Sequence, residues 1–226
     1  MKTYAIVGID TDIGKTVATG LIARNLHGNS VKCITQKMIQ TGCLGIAEDI
    51  IEHRKIMGVP LFECDKDGTT CPFVFPVPSS PHLAAELAGG LFDASILKAA
   101  TQRLEKEFDI VLLEGVGGLF VPLTRELLLV DYLAEMHYPT IVVTSSRLGS
   151  INHTLLTFEA LIARNIPIVG VVYNRFSDAL PEIADDSKTI FSAYLQQKNI
   201  QSPIVDIEKV TEPFDNSLDF SEFFRN

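Results

Sequence analysis

The chain has 226 residues, 46% hydrophobic and 21% charged, which is enough apolar material for a sizeable core, and no run approaches the ~20 apolar residues of a membrane-spanning helix. With 28 acidic and 19 basic side chains the formal net charge is −9, which disfavours a nucleic-acid-binding face, so any bound phosphate must be met by locally concentrated positive potential. The cysteines Cys33, Cys43, Cys64 and Cys71 form no C-x-x-C pair, so free thiols in a reducing cytoplasm are expected.

The N-terminal run Tyr4–Val7 is short and is followed by no small-residue cleavage site, so it reads as a first strand rather than a signal peptide. A helical pattern runs from Lys15 to about Leu26. A strand at Val31–Thr35 is followed by a helix around Ile46–Met57. The stretch Phe62–Pro81, with four prolines from Cys71 onward, is expected to be a long functional loop. Ile110–Leu113 reads as a buried strand and Leu127–Glu135 as a short helix. Thr140–Thr144 leads into a helix from about Ile151 to Arg164, and Pro167–Tyr173 into one from about Glu182 to Gln197. Apolar strands alternating with helices predict an α/β fold, a mostly parallel sheet with helices on both faces. No repeat or linker divides the chain, so residues 1–226 are expected to form a single domain. The stretch Phe214–Asn226 carries four phenylalanines among acidic residues and is expected to lie on the parent domain or on a second subunit, not on a membrane.

At the first strand-to-helix junction stands Gly8-Ile9-Asp10-Thr11-Asp12-Ile13-Gly14-Lys15-Thr16. The phosphate-binding P-loop pattern is G-x-x-x-x-G-K-[ST]. Here Gly14-Lys15-Thr16 is intact, but Ile9 holds the first glycine's place and the glycine sits one residue earlier, at Gly8. The chemistry survives the shift. A tight turn aims backbone N–H groups inward, the helix adds its N-terminal donors, Lys15 reaches the β/γ-phosphates and the Thr16 hydroxyl can hold Mg²⁺. The fold is therefore expected to be of the P-loop NTPase type.

Mg²⁺ takes oxygen ligands, usually with one or two carboxylates. Glu114 closes the run Ile110–Leu113 at the edge of the sheet where ligands bind, and Gly115-Val116-Gly117-Gly118 follows it. Asp49 is a second candidate, although acids in a first helical turn are common for dipole reasons and Glu48 is its rival. Lys37 follows the strand Val31–Thr35, ahead of Gln40-Thr41-Gly42. An isolated loop lysine is usually a solvated charge, but a second cation facing the cradle would stabilise a transferring phosphoryl group. Leu148-Gly149-Ser150-Ile151-Asn152-His153 opens a helix, with Ser150 as the expected N-cap, and the free N–H groups of that turn could equally bind a carboxylate. Neither His153 nor His82 has partners at metal-ligand spacing.

Together these pieces resemble the dethiobiotin synthetases over roughly three quarters of the chain, from Lys2 to about Phe176. The loop is similar to that family's G-T-D-T-x-x-G-K-T, with Ile9 in place of threonine. Lys37-Met38-Ile39-Gln40-Thr41-Gly42 is similar to K-P-x-x-[ST]-G, and Ser80-Pro81-His82 to S-P-H. Glu114-Gly115-Val116-Gly117-Gly118, with Val121-Pro122-Leu123 beyond it, is similar to E-G-A-G-G, and Leu148–His153 to L-G-x-I-N-H. The resemblance implies that 7,8-diaminononanoate, CO₂ and ATP react through a carbamate and a carbamic-phosphoric anhydride. It implies Mg²⁺ on Thr16, Asp49 and Glu114, and Lys15, Lys37 and Thr11 in catalytic roles. The nucleotide would lie against Asp12, Ile13, Gly14, Lys15, Thr16, Glu114, Gly117 and Asn174, with Asn174 at the base. The diamine would meet Thr11, Asp12, Lys37, Thr41 and, from a neighbouring subunit of a homodimer, Ser150, Ile151 and Asn152. Asp12 stands where the family often has the longer glutamate, and Ser202–Glu208 is only loosely similar to the region near the base, so no base contact is assigned there.

Two other classes share the cradle. Switch ATPases that partition DNA or position division machinery usually carry an extra lysine early in the loop, which Gly8-Ile9-Asp10-Thr11 lacks. Amidotransferase-linked synthetases need a glutaminase domain, for which this chain has no room.

Overall fold

The computed structural model describes residues 2–175, 180–208, 214 and 218–225. Of the positions read above, Met1, Phe176, residues 215–217 and Asn226 lie outside the described residues. In chain order the elements are β1 (Thr3–Gly8), α1 (Lys15–Gly28), β2 (Cys33–Lys37), β3 (Gln40–Thr41), α2 (Glu48–Met57), α3 (Glu63–Lys66), β4 (Val74–Phe75), α4 (Pro81–Leu87) and α5 (Ala94–Glu107). Then come β5 (Ile110–Gly118), α6 (Leu129–Met136), β6 (Thr140–Ser145), α7 (Ser150–Ile162), β7 (Ile168–Asn174), α8 (Pro181–Gln197), β8 (Ile204–Ile207) and a 3₁₀ turn at Ser221–Phe224.

Six strands form one parallel sheet in the order β2-β5-β1-β6-β7-β8. Their runs are apolar without alternation because both faces are covered; Ile6, Leu112, Val142 and Val171 are fully buried. From β1 the chain steps outward to β2, whereas from β6 it steps the other way to β7 and β8. Right-handed crossovers then put α1 on one face and α7 and α8 on the other. The reversal falls at β1, between β5 and β6, and the carboxyl ends of all these strands meet at one edge. Ligands of open α/β sheets bind in that crevice. No helix among the described residues is long and apolar enough to cross a membrane, and all four cysteines are buried free thiols.

Several boundaries differ from the sequence reading. Phe62–Pro81 is not one irregular loop: it contains α3 and β4 and reaches the start of α4, where Pro81 takes the first helical position. Strand β4 pairs in parallel with β3, Gln40 opposite Val74 and Thr41 opposite Phe75, so the prolines frame a two-stranded sheet that steadies Thr41. Helix α5 was not anticipated. The side chain of Asp93 caps it, accepting from the Ser95 N–H at 2.8 Å, and Leu97, Thr101 and Leu104 form its buried stripe. Strand β2 extends to Lys37 and β5 continues past Glu114 to Gly118.

The phenylalanine-rich tail lies on the parent domain. Phe220 and Phe223 are buried, and Phe224 meets Tyr4 edge-on with ring centroids 4.8 Å apart. Gly170 of β7 leaves the space that Phe223 fills, since a Cβ there would fall 2.5 Å from its ring. Truncating this plug leaves a cavity against the sheet. Phe223→Ala is expected to cost about 3–5 kcal/mol in urea unfolding; a loss below about 1 kcal/mol would mean that the tail is not part of the cooperative core.

Candidate active site

The loop between β1 and α1 has an unusual backbone. Asp12 (φ 55°) and Gly14 (φ 93°) have positive φ, whereas Thr11 and Ile13 do not. Alternating residues of this kind turn successive N–H groups to one side and make an anion-binding nest. The left-handed position tolerates aspartate better than most side chains, which suits Asp12. Gly14 caps α1 and no side chain covers its first-turn N–H groups, so they face the crevice. A Cβ on Gly14 would strike the Asn174 amide. Asn174 Nδ2 donates to the Ile13 carbonyl at 2.9 Å, tying the loop to the end of β7.

The displaced Gly8 has its own reason. Lys15 folds back over the loop and its Nζ donates to the Asp10 carbonyl at 2.7 Å. A Cβ on Gly8 would lie 2.8 Å from that ammonium and 2.9 Å from that carbonyl. Burial, reinforced by the nearby Lys37 ammonium, pushes Lys15 down to about 8.

The second half of the site centres on Glu114. It is not at a strand end but inside β5, level with Ile6 of β1 and Lys37 of β2, and fully buried. Lys37 is not a loop lysine either. It is the last residue of β2, and its ammonium lies 2.7 Å from Glu114 Oε1, 2.5 Å from Asp49 Oδ2 and 3.2 Å from the Gly115 carbonyl. The Thr16 hydroxyl donates to Glu114 Oε1 at 3.1 Å. Burial alone would raise the Glu114 carboxyl, but Lys37 and His53 reverse the sign and hold it well below the carboxylate range. Burial alone would lower Lys37, but Glu114 and Asp49 carry it above the usual lysine range. Of the two acids at the start of α2, Asp49 joins this cluster and Glu48 is exposed. Asp49 and Glu114 thus hold carboxylate oxygens on the Lys37 ammonium, the Thr16 hydroxyl sits on Glu114 Oε1, and that all-oxygen set also suits Mg²⁺.

Two further buried residues escaped the sequence reading, His53 in contact with this cluster and Arg54 behind it. His53 Nε2 lies 2.8 Å from Glu114 Oε2 and its Nδ1 lies 3.0 Å from Thr35 Oγ1. Arg54 forks onto Asp65 at 2.9 and 2.8 Å and donates to Thr35 Oγ1 at 2.7 Å. The signal was present in the spacing: Asp49 and His53 are four residues apart and share one face of α2.

A cleft of about 590 Å³ joins the two halves. Thr11, Asp12, Gly14, Lys15 and Thr16 line one side, and Lys37, Thr41, Asp49, Glu114 and Gly117 the other. Asn174 closes it together with Ile207 and Glu208 at the end of β8, the stretch for which no base contact was assigned. Gln40 and Val116 line it as well. Ile13, expected against the nucleotide, does not line the cleft, because its side chain is buried in the core. Ser150, Ile151 and Asn152 do not line this cleft. Ser150 is not an N-cap: Gly149 holds that place with φ 93°, and Ser150 is the first helical residue, its hydroxyl 3.1 Å from that of Ser145. The α7 start is nevertheless anchored to the loop, because Arg147 pairs with Asp10 at 2.8 Å. Beside it, Phe120, Leu148 and Leu156 are exposed.

The Lys37 ammonium is what keeps two close carboxylates compatible with burial. Lys37→Ala is expected to destabilise the fold by about 3–5 kcal/mol in urea unfolding. A loss below about 1 kcal/mol would mean that solvent neutralises Asp49 and Glu114 instead.

A sequence profile described as AAA domain matches residues 2–211. The ATP-dependent dethiobiotin synthetase BioD of Chlorobaculum tepidum is 52% identical over 207 residues, 91% of this chain and 87% of that one. The ATP-dependent dethiobiotin synthetase BioD 2 of Pasteurella multocida is 47% identical, over 87% of this chain and 92% of that one. Among solved structures, a ParA family ATPase from Chlorobium tepidum superposes with a TM-score of 0.54 at 12% identity, covering 92% of this chain and 85% of that one. The signal recognition particle receptor FtsY from Elizabethkingia anophelis in complex with GDP gives 0.56 at 13% identity, covering 98% of this chain and 61% of that one. At such identities these structures establish the fold alone. The extent and identity of the sequence matches establish that this chain belongs to the dethiobiotin synthetase family, built on the P-loop α/β fold.

Proposed function

We propose that this chain is an ATP-dependent dethiobiotin synthetase whose reaction takes place in the cleft between the Gly8–Thr16 loop and the Lys37–Glu114 cluster. The observation that carries the reading is the Lys37 ammonium, held between Glu114 and Asp49 and facing the phosphate nest. One amine of 7,8-diaminononanoate adds to the carbon of CO₂ and loses a proton, giving a carbamate. A carbamate oxygen takes the γ-phosphoryl group of ATP, ADP leaves, and a carbamic-phosphoric anhydride results. The second amine attacks the same carbon, the C–O bond to the phosphate breaks, and the ureido ring closes.

In this reading the chain acts by holding groups and meeting charge. The N–H groups from Asp12 to Thr16 bind the phosphates and Lys15 covers their β/γ end. Lys37 offsets charge on the transferring phosphoryl group and the carbamate. Thr11, Asp12 and Thr41 line the side on which the diamine lies, and Asn174 with Ile207 and Glu208 lines the base end. Thr16, Asp49 and Glu114 hold Mg²⁺, which supplies positive charge to the phosphates when bound. Assembling carbamate, phosphoryl group and amine in one cleft replaces a multi-body encounter, worth about 7–11 kcal/mol.

The chain is further read as a single cytoplasmic domain that pairs into a homodimer. Support for the pairing comes from the exposed Phe120 and Leu156, which line an apolar groove of about 390 Å³, and from the exposed Leu148 at the start of α7. The first turn of α7, with Ser150, Ile151 and Asn152, then meets the substrate carboxylate in the cleft of the other subunit.

Labelled bicarbonate supplied with ATP and 7,8-diaminononanoate is expected to yield labelled dethiobiotin and ADP. ATP turnover that ignores the diamine but responds to DNA or lipid would favour a switch ATPase. Asp49→Asn is expected to lower ring closure about 10–100-fold at fixed Mg²⁺, while Glu48→Gln leaves it unchanged; equal effects would remove Asp49 from the site. In sedimentation the chain is expected to run as a dimer and Leu156→Glu as a monomer that still binds ATP but no longer closes the ring. An active monomer would overturn the shared-site reading.

A further inference from the structure

We propose that His53 is a positioning residue that decides which oxygen of Glu114 faces the phosphate cleft. The proposal rests on the reading of Glu114 as a cation ligand. His53 is fully buried on α2, one turn after Asp49, and joins Glu114 Oε2 to Thr35 Oγ1. Two of the hydrogen-bond directions follow from what the partners can do. A guanidinium only donates, so at 2.7 Å the Thr35 hydroxyl accepts from Arg54. At the other end Glu114, ionised beside Lys37, only accepts, so His53 donates to it from Nε2. Between them the Thr35 hydroxyl, with a proton and a second lone pair, meets His53 Nδ1 at 3.0 Å.

The upstream end is fixed as well. Both oxygens of Asp65 hold Arg54, and Asp65 in turn takes the Phe62 N–H at 2.8 Å and the Thr70 hydroxyl at 2.7 Å. The order Asp65, Arg54, Thr35, His53, Glu114 is therefore an unbroken run of buried hydrogen bonds that ends on Glu114 Oε2. Its consequence falls on the carboxylate. Oε2 is filled by His53, while Oε1 alone meets Thr16 and Lys37. Glu114 is held to a one-oxygen presentation toward the cleft, and α2 supplies both Asp49 and the clamp on its partner acid.

The test combines a ring measurement with metal binding. Nitrogen-15 NMR of the histidine rings in the metal-free chain is expected to show His53 protonated at Nε2. Mn²⁺ binding, read from the electron paramagnetic resonance of free Mn²⁺ with saturating ADP, is expected to weaken on the order of tenfold in His53→Asn, which keeps an amide near Thr35 but cannot reach Glu114. His53→Gln, whose amide nitrogen reaches the Nε2 position, is expected to stay within about twofold of the unsubstituted chain. A ring bare at Nε2, or Mn²⁺ affinity equal in all three chains, overturns the proposal. If neither variant folds, the ring spectrum of the unsubstituted chain decides. Failure of the unsubstituted chain to bind Mn²⁺ overturns the cation reading beneath it, and the ring spectrum distinguishes that failure from failure of the His53 contact.

Discussion

A carboxylate with no exposed surface, inside a parallel sheet, is the constraint on which the rest of this site depends. An isolated buried charge costs several kcal/mol, so Glu114 remains ionised only while every side of it is answered. The answers come from three elements: Lys37 from β2, Thr16 from α1 and His53 from α2. Each contact fixes the distance between β5 and another piece of the fold. Asp49 extends the balance, since Lys37 serves two acids at once. The phosphate loop is drawn in through Thr16, so the electrostatics of the cluster and the placement of the nucleotide loop are one problem.

The shared sheet explains why the solved neighbours include a ParA ATPase and a signal recognition particle receptor. Parallel strands reversing direction beside β1 create a phosphate crevice whatever the chemistry. The particular chemistry of this chain lies in side chains at the crevice: a buried lysine at the end of β2, an acid inside β5, and a loop in which Gly8 leaves room for Lys15 to fold back. These are features of sequence rather than of topology, which is why identity to the synthetases carries the assignment and superposition does not.

Much of this was legible in the residues. Continuous apolar runs gave the strands of the main sheet, apart from Ile204–Ile207, and the intact Gly14-Lys15-Thr16 located the cradle. Lys37 and Glu114 were found as candidates but placed in a loop and at a strand end, because a charge inside an apolar run reads as the end of it. Only the pairing of β2 with β5 in register lets each neutralise the other inside the sheet. Nothing local marks His53 and Arg54 as buried, since nothing local says that α2 lies against β2. The two-residue strands near Thr41 and Phe75 are too short for any periodicity. Helix α5 was readable from Asp93 and its Leu97, Thr101 and Leu104 spacing and was overlooked. Ser150 was assigned a capping role that Gly149 takes, because only a residue at ease with positive φ fits that turn.

The tail that fills the space beside Gly170 also sets an order of events during synthesis. Phe223 covers a strand made some fifty residues earlier, Phe224 closes on Tyr4 of the first strand, and the Asn25 amide holds the Leu218 carbonyl at 2.7 Å. Such contacts span nearly the whole sequence, and closing them is slow because long loops must be ordered first. While the chain is still growing, β1 and β7 can pair with their neighbours but the apolar face under the tail stays open to water. Among the described residues, those near the C-terminal end are thus the ones that close this face of the core over β1 and β7.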